Sequence, residues 1–555
     1  MTHAPTPTAT RRLLHAAACL LPALALLACS RPGQPDASTA DAAGASANTL
    51  RIAFHADNTT LVSLDPFQVY WLEHRVILRN VAESLTDQDP ATGRVIPWLA
   101  KRWEISPDAL RYTFVLRDDV SFSNGSAFNA QAVKTAFDAD KAFVAAVPAT
   151  FGATYLQGYD HAEVVDDHTV RIVLARPNAG FLQATSTTNL AILAPESYAL
   201  TPQQRSRGAI VGTGPFTLAR YTPEVGIELE RRKGYHWPSG AARNPGEAWI
   251  DKVAVSYVPE ESVRNGQFVA GAVDIVWPRN PFTDLDLRQL KGAGASVHSR
   301  ALPGPAANLY PNTAAGHVLA DPRVRLALQK AIDRRSYATT IYNGDFPVVA
   351  SIYDSTTPYF KSVGDRLAYD PEGAARLLDE AGWKPGADGL RHKDGKPLVL
   401  VQNVAAETSG DVLVQDQLRK LGIALKLNIL VIGEMTAANA AGHYDLSASY
   451  MTRADPAVLQ TFLDPRFTNH SALSTNAYAP DTLRKAQALF DAGLQATDAA
   501  QRARAYGELQ ELLIAQGVAF PVYERLWQAA TAARVDGFTW TSEGFALFND
   551  IRLKS

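Results

Sequence analysis

Cysteine is nearly absent from this chain of 555 residues. Its two cysteines, Cys19 and Cys29, both stand near the amino terminus, and none follows them. The rest of the chain therefore has no disulfide, no thiolate metal site and no cysteine nucleophile.

An excess of charge of either sign is also missing. The chain has 53 Lys and Arg against 56 Asp and Glu, for a formal net charge of −3. This balance indicates neither the basic footprint of a nucleic-acid-binding protein nor the polybasic patch of a membrane-surface protein. The hydrolase signatures G-x-S-x-G and H-E-x-x-H are absent as well. The sequence therefore predicts no catalytic residues.

Long apolar runs are confined to the amino terminus. Residues 13–28 are apolar apart from one histidine and follow two arginines, but the run is shorter than the roughly 20 residues that a membrane-spanning helix needs. This pattern predicts a signal peptide over residues 1–28. Residues 29–48, rich in Ala, Ser and Gly, predict a flexible linker.

The remaining composition is that of a folded protein. Hydrophobic residues make up 46% of the chain and charged residues 20%, as in globular domains. Because 555 residues exceed what one hydrophobic core usually serves, we expect two or more lobes.

One stretch, residues 95–138, shows its local structure in its pattern. Apolar side chains between positions 97 and 103 stand at near-helical spacing. Tyr112, Phe114 and Leu116 then alternate with polar residues, which predicts a strand with one buried face. Asn129 can cap a following helix.

A cluster of acidic residues and histidines lies at positions 160–168. Histidine and carboxylate groups bind several divalent metals. However, residues 164–174 alternate in hydrophobicity around an acidic pair, which favours a hairpin with a solvated turn. We predict no metal site there.

Further along the chain, glycines and Asp-Pro pairs indicate turns and helix starts. The glycines of Val211–Phe216 lack the Lys-Ser/Thr of a phosphate-binding loop, so a structural turn is the better interpretation. Asp321 and Asp370, each followed by proline, predict helix starts. A helix over 412–421 followed by a strand over 423–429 predicts a second mixed sheet.

Several separated stretches resemble one known family. They fall at 103–125, 211–216, 250–276, 321–334 and 369–383. Their residue patterns are similar to those of the extracytoplasmic solute-binding proteins of ABC importers, in the peptide/nickel-binding class (family 5). The residues that match in the first stretch are Trp103, Ser106, Asp108, Tyr112, Phe114, Leu116, Arg117, Val120, Phe122, Asn124 and Gly125. Ala109 stands where a glycine is usual.

The resemblance implies an α/β, two-lobe periplasmic-binding-protein fold with mixed sheets, an extra subdomain inserted in the first lobe, and a hinge between the lobes. Lobe I is expected at 49–305, with the inserted subdomain at about 91–209 and completion by about 525–555. Lobe II is expected at 306–524.

The implied function is to capture a small solute, most simply a peptide, in the interlobe cleft and deliver it to a membrane permease driven by an ATPase. A binder of nickel, a metal chelate or another anionic small molecule is the alternative, and an exported hydrolase is a third reading that the missing motifs weaken. No cofactor is implied, and a monomer is expected.

The end of the predicted signal peptide carries a signal for where the protein lies in the cell. Leu26-Leu27-Ala28-Cys29 resembles a bacterial lipobox, which implies cleavage before Cys29 and a lipid anchor on it. The protein would then lie on the periplasmic side of a bacterial membrane. A plain secretory signal with a chance cysteine is the alternative.

Candidate ligand-binding residues follow from the resemblance and from position. They are Tyr70, Trp71, Leu72, Asn308, Tyr310, Tyr450, Arg453 and Asp455. The first three lie in a strand–helix loop that faces the ligand in the family, although adjacent aromatic residues can simply pack.

The segment at 444–463 carries much of the family's specificity. Peptide-binding relatives have an aspartate where this chain has Thr452, and a buried ammonium without a carboxylate partner would be costly. Arg453 suggests an anionic group on the ligand. The alternative is that Arg453 pairs with Asp455.

Overall fold

A computed structural model describes residues 48–57, 63–147, 150–342, 346–449, 451–466 and 471–554. The predicted signal peptide, residues 29–47 of the predicted linker, the lipidation site Cys29 and the candidate Tyr450 lie outside the described residues. Among the helices of the described ranges, none combines the length and apolar character needed to cross a membrane.

A seven-stranded mixed sheet gathers strands from both ends of the chain. Its central strand, Thr49–Phe54, pairs in parallel with strands on both sides, and the remaining pairs are antiparallel. The order is Ser296–Ala301, Leu526–Thr531, Ile275–Trp277, Thr49–Phe54, Lys252–Tyr257, Gly226–Arg231 and Phe216–Thr222. Leu50, Ile52 and Phe54 are fully buried, as expected where helices and loops cover the sheet. The longer helices of this part are Leu72–Leu78, Glu261–Val269 and Asp284–Gly292.

A five-stranded sheet is the second large sheet of the fold, and it confirms the predicted second mixed sheet. Its order is Ala424–Ile429, Val399–Val404, Leu446–Ser449, Ala307–Pro311 and Phe520–Tyr523. The two predicted helix starts are confirmed, because Asp321 and Asp370 accept hydrogen bonds from the backbone N–H groups of Arg323 and Gly373. The longer helices here are Pro322–Ala331, Arg334–Ile341, Pro371–Glu380, Ser409–Arg419, Ile432–Ala440, Pro480–Gln495 and Ala499–Ala515.

A four-stranded antiparallel sheet lies within the range predicted as an inserted subdomain. Its order is Ala100–Ile105, Arg111–Leu116, Thr169–Leu174 and Tyr159–Asp166. The predicted strand at 112–116 and the predicted hairpin over 164–174 are confirmed. Helix Ala130–Ala146 packs on this sheet, and Asn129 caps it by accepting from the N–H of Ala132 at 2.9 Å.

The helical spacing between positions 97 and 103 gave a wrong expectation. Residues 100–105 form a strand that pairs with Arg111–Leu116, because pairing across a tight turn decides the conformation there. Ala109 in that turn has φ of 54°, in the left-handed region that glycine adopts at the least cost. This explains why a glycine is usual at that position in the resembling family.

Shorter elements complete the described chain. The short strands are Thr86–Gln88, Val95–Pro97, Lys384–Pro385, Arg391–Lys393, Lys396–Pro397, Val535–Asp536 and Arg552–Leu553. The short α-helices are Phe181–Ala184, Pro195–Tyr198, Pro202–Ser206 and Gln460–Leu463. Single 3-10 turns occur at Phe151–Thr154, Thr188–Leu190, Val318–Ala320, Gly364–Leu367, Pro456–Leu459, Ser471–Leu473 and Phe548–Asp550.

Two short connections join the seven-stranded sheet to the five-stranded sheet. One is 302–306, between Ser296–Ala301 and Ala307–Pro311, and the other is 524–525, just before Leu526–Thr531. They lie side by side, since the N–H of Leu302 donates to the carbonyl of Arg525 at 3.0 Å. The predicted lobe boundaries fall within these connections, and as domain limits they stay predictions.

One buried carboxylate gives the fold a predictable response to pH. Glu83 is fully buried and accepts hydrogen bonds from the Tyr235 hydroxyl at 2.6 Å and from Trp237 Nε1 at 3.0 Å. Burial nevertheless raises the pKa of Glu83 from 4.5 to about 7, because the charged form loses its hydration.

We therefore expect Glu83 to make the protein less stable as pH rises. Its proton binds more tightly in the folded state, so this contribution is complete below pH 4.5 and is lost as pH rises through about 7. The loss is roughly 3 kcal/mol of unfolding free energy. Urea unfolding at several pH values should show a shallower decline for Glu83→Gln. An exposed control, Glu196→Gln, should decline like the wild type, and an unchanged slope in Glu83→Gln would contradict the assignment.

Candidate functional site

A cavity of about 120 Å³ lies where the two connections pass between the sheets. It is lined from the side of the seven-stranded sheet by Tyr70, Trp71, Leu72, Glu73, Pro278, Arg279, Asn280, Pro281, Leu302, Leu526 and Trp527. The remaining lining residues are Tyr342, Met451, Thr452, Tyr523 and Arg525. The cavity therefore borders both halves of the described chain.

Strand direction explains how one wall is built. Thr49–Phe54 and Ile275–Trp277 run parallel, so their carboxyl ends lie at the same edge of the sheet, where ligands of open α/β sheets commonly bind. The chain leaving the second strand supplies residues 278–281 of the lining. After the first strand, the Ala56 carbonyl accepts a hydrogen bond from Trp71 Nε1 at 3.3 Å.

The three predicted residues Tyr70, Trp71 and Leu72 all line this cavity. Tyr70 is 39% exposed and its ring lies edge-on to Phe151. Trp71 is 8% exposed, and the guanidinium of Arg279 lies over its ring at 4.4 Å. The aromatic rings therefore both pack and face the cavity. Their contact with a ligand stays a prediction.

Glu73 places a buried carboxylate at the same wall. The residue is 1% exposed, and its Oε1 lies 3.0 Å from Nδ1 of His55. Within the described ranges, Oε2 has no hydrogen-bond partner. A charged oxygen in this position is costly unless a donor reaches it.

The opposite wall presents neutral or already paired groups. Thr452 Oγ1 accepts a hydrogen bond from Arg525 Nη1 at 2.9 Å. Arg525 in turn donates from Nε and from its backbone N–H to the two carboxylate oxygens of Asp354, at 3.0 and 2.8 Å. Tyr342 and Tyr523 contact each other edge-to-face beside these groups.

Arg453 and Asp455 are buried outside the cavity lining. Arg453 donates to the Thr154 carbonyl at 2.9 Å, and its guanidinium lies 4.8 Å from the centre of the Tyr155 ring. Asp455 accepts two hydrogen bonds from Arg502, each 3.1 Å long. The structure thus gives Asp455 a partner other than Arg453. The ligand contacts predicted for both residues are untested.

Asn308 and Tyr310 also lie away from the lining residues. Asn308 Nδ2 donates to the carbonyls of Ala306 and Ile352 at 2.7 and 3.0 Å. These bonds link the first connection to the segment that contains Ile352. The Tyr310 ring stacks on Phe462. Both are predicted ligand residues whose observed contacts are within the protein.

Several lining residues were not predicted. Pro278–Pro281 carried a usable signal, because two prolines directly after a predicted strand must begin a loop at its carboxyl end. The charged pair Glu524 and Arg525 interrupts an apolar run and so marks the return between sheets. Tyr342 follows an ordinary helix and carried no such signal.

The described part of the chain holds no converging group of three or more histidine, cysteine or acidic side chains that would bind a metal ion. In the hairpin at 160–168, His161 instead pairs with its neighbours Asp160 and Glu163 at the surface.

Comparison with known proteins identifies the family of this chain. Residues 94–472 match the family model described as bacterial extracellular solute-binding proteins, family 5 Middle. The "Probable di/tripeptide-binding protein 5" of Pseudomonas aeruginosa is 26% identical, covering 85% of this chain and 89% of that protein. The "Heme-binding protein A" of Haemophilus influenzae is 24% identical over 95% of this chain and 96% of its own length.

Solved structures agree. NikA from Brucella suis, in complex with Fe(III)-EDTA, is 26% identical and superposes with a TM-score of 0.77, covering 91% of this chain and 100% of that chain. DppA from Helicobacter pylori, in complex with the peptide STSA, gives a TM-score of 0.72 at 24% identity, over 91% and 98% of the two chains. The predicted two-lobe periplasmic-binding-protein fold is confirmed. The chain belongs to the bacterial extracellular solute-binding proteins of family 5.

Proposed function

We propose that this protein captures a small, peptide-like solute in the cavity between its lobes and releases it unchanged to the permease of an ABC importer. The observation that carries the proposal is the position of the cavity. It lies at the two connections between the sheets and is lined by residues from both sides of them.

This position suits a binding protein that closes on its ligand. A solute that contacts Trp71 on one side and Tyr342 on the other interacts with both lobes at once. Such a solute favours the closed arrangement, because it makes all its contacts only there. The lining combines aromatic rings with a set of polar and charged side chains, namely Glu73, Arg279, Asn280, Thr452 and Arg525. Such polar groups fix the orientation of a small molecule in its site.

We expect a di- or tripeptide to bind one per protein molecule and to make the protein more compact. Titration calorimetry with alanyl-phenylalanine and trialanine would measure binding, and small-angle X-ray scattering would show a smaller radius of gyration at saturation. Trp71 and Trp527 line the cavity, so their fluorescence should change, while the change should persist in the distant control Trp249→Phe.

Each contrary result is distinct. Saturable binding without compaction would contradict closure of the lobes. Sustained appearance of peptide fragments in the mixture, followed by mass spectrometry, would favour an exported hydrolase.

A metal chelate or another anionic small molecule is the second candidate. The observation that favours it is the Arg279 guanidinium in the lining. Arg525 also lines the cavity, and its charge is paired with Asp354. The relatives include the "Nickel-binding periplasmic protein" of Escherichia coli, 27% identical over 61% of this chain and 63% of that protein. Nickel–histidine and Fe(III)-EDTA in the same titrations, with the free metal ions as controls, would separate this candidate from the peptide.

A further inference from the structure

One carboxylate oxygen of Glu73 contacts a histidine, and the other has no hydrogen-bond partner among the described residues. Its Oε1 contacts Nδ1 of His55 at 3.0 Å, whereas Oε2 has no hydrogen-bond partner among the described residues. The side chain is 2% exposed, so solvent satisfies it poorly. A buried carboxylate oxygen in this situation favours a site where another molecule supplies the donor.

The surroundings of Glu73 define the chemistry of that donor. Glu73 carries the only carboxylate among the described residues that line the cavity. Aromatic rings lie beside it in the same lining, but the face of Trp71 is already covered by the Arg279 guanidinium at 4.4 Å. A positively charged nitrogen that donates hydrogen bonds would therefore be stabilised chiefly by Oε2.

Among the described lining residues, the facing wall has no carboxylate that would compete with Glu73. Thr452 presents a hydroxyl, which already accepts from Arg525. The charge of Arg525 is matched by Asp354 at 3.0 Å. Asp354 is fully buried and is not among the lining residues. A cationic group entering this cavity would therefore meet its counter-charge at Glu73.

We infer that Glu73 binds the primary ammonium group of the solute and so selects solutes that carry a free amine, such as a peptide with an unblocked amino terminus. This inference rests on the proposed function and assigns one of its contacts. Oε2 accepts a hydrogen bond from the ammonium, while His55 holds the other oxygen in place. No bond is made or broken in the solute.

A thermodynamic cycle tests this contact. Alanyl-phenylalanine and trialanine are each titrated with and without an N-acetyl group, into the wild type and into Glu73→Gln. In the wild type, acetylation should weaken binding by roughly thirty-fold or more, as expected when one partner of a buried charge pair is lost. In Glu73→Gln, the free and acetylated forms should bind about equally.

A matched control separates the contact from a general change of charge. Glu524 is also buried, at 2% exposure, and directly precedes the lining residue Arg525, but it accepts from Ser355 and does not line the cavity. Glu524→Gln should keep the wild-type preference for the free amine. Thermal melting of both variants checks that they fold.

The outcomes distinguish the inference from the function. If Glu73→Gln keeps the discrimination, or if Glu524→Gln loses it equally, the assignment to Glu73 is wrong while peptide binding stands. If the wild type binds free and acetylated peptides equally, the amine is not recognised and the inference also fails. If the wild type binds none of the four probes, the proposed peptide function fails and the inference fails with it.

Discussion

Asp354→Ala should lower the free energy of unfolding by about 3–5 kcal/mol, the range typical of removing one partner from a buried ion pair. Asp354 is fully buried and Arg525 is 5% exposed. Burial raises the pKa of Asp354, and the guanidinium and backbone N–H of Arg525 oppose that rise. Without the carboxylate, the buried Arg525 loses the counter-charge that pairs with it at 3.0 Å.

The substitution should also loosen the junction of the lobes. The backbone N–H of Asp354 donates to the Gly304 carbonyl at 2.9 Å, and its side chain binds Arg525. Asp354 therefore ties together the two connections at 302–306 and 524–525. We expect faster amide hydrogen exchange in these connections before the rest of the fold is affected.

Denaturant unfolding followed by circular dichroism measures the effect. Asp354→Asn keeps the shape and one acceptor, so its loss should be smaller than that of Asp354→Ala. Asp416→Ala removes a carboxylate from an exposed ion pair with Arg419 and should leave the transition where it is. Equal transitions for Asp354→Ala and the wild type would show that the pair contributes nothing.

The sequence predicted features that depend on neighbouring residues. The strand at 112–116 and the cap at Asn129 follow from patterns within a few positions, and the structure confirms both. The order of strands did not follow from such patterns. Thr49–Phe54 and Leu526–Thr531 share one sheet, although almost the whole chain separates them, and only tertiary packing decides that neighbourhood.

The cavity residues also divide into those that the local sequence predicts and those that only tertiary packing decides. Trp71 was predicted because it lies in a loop between a strand and a helix, a position that local pattern and family resemblance both reveal. In the segment around Thr452, the resemblance located the region but not the direction of each side chain. Thr452 lines the cavity, whereas Arg453 turns to Thr154 and Tyr155. Outside a regular helix or strand, the sequence does not show in which direction each of two neighbouring side chains points. Only the three-dimensional structure does.

The glycines of the Val211–Phe216 turn provide the second large expected effect. A Cβ atom on Gly212 would lie far inside van der Waals contact with the Val81 carbonyl oxygen, and one on Gly214 would lie 2.7 Å from that of Asn80. The backbones touch because the N–H of Gly214 donates to the Val81 carbonyl at 2.9 Å. Gly212→Ala must push these segments apart, at a cost of about 3 kcal/mol or more.

Gly266→Ala is the matched control for this prediction. Gly266 lies inside the helix Glu261–Val269, and a Cβ atom there meets no neighbouring atom within 4 Å. Because alanine favours a helix more than glycine does, this variant should gain about 0.5–1 kcal/mol. Opposite shifts of the two unfolding midpoints would establish that close backbone approach requires Gly212. If Gly212→Ala unfolded like the wild type, the turn would tolerate a side chain, and another reason for its glycines would be needed.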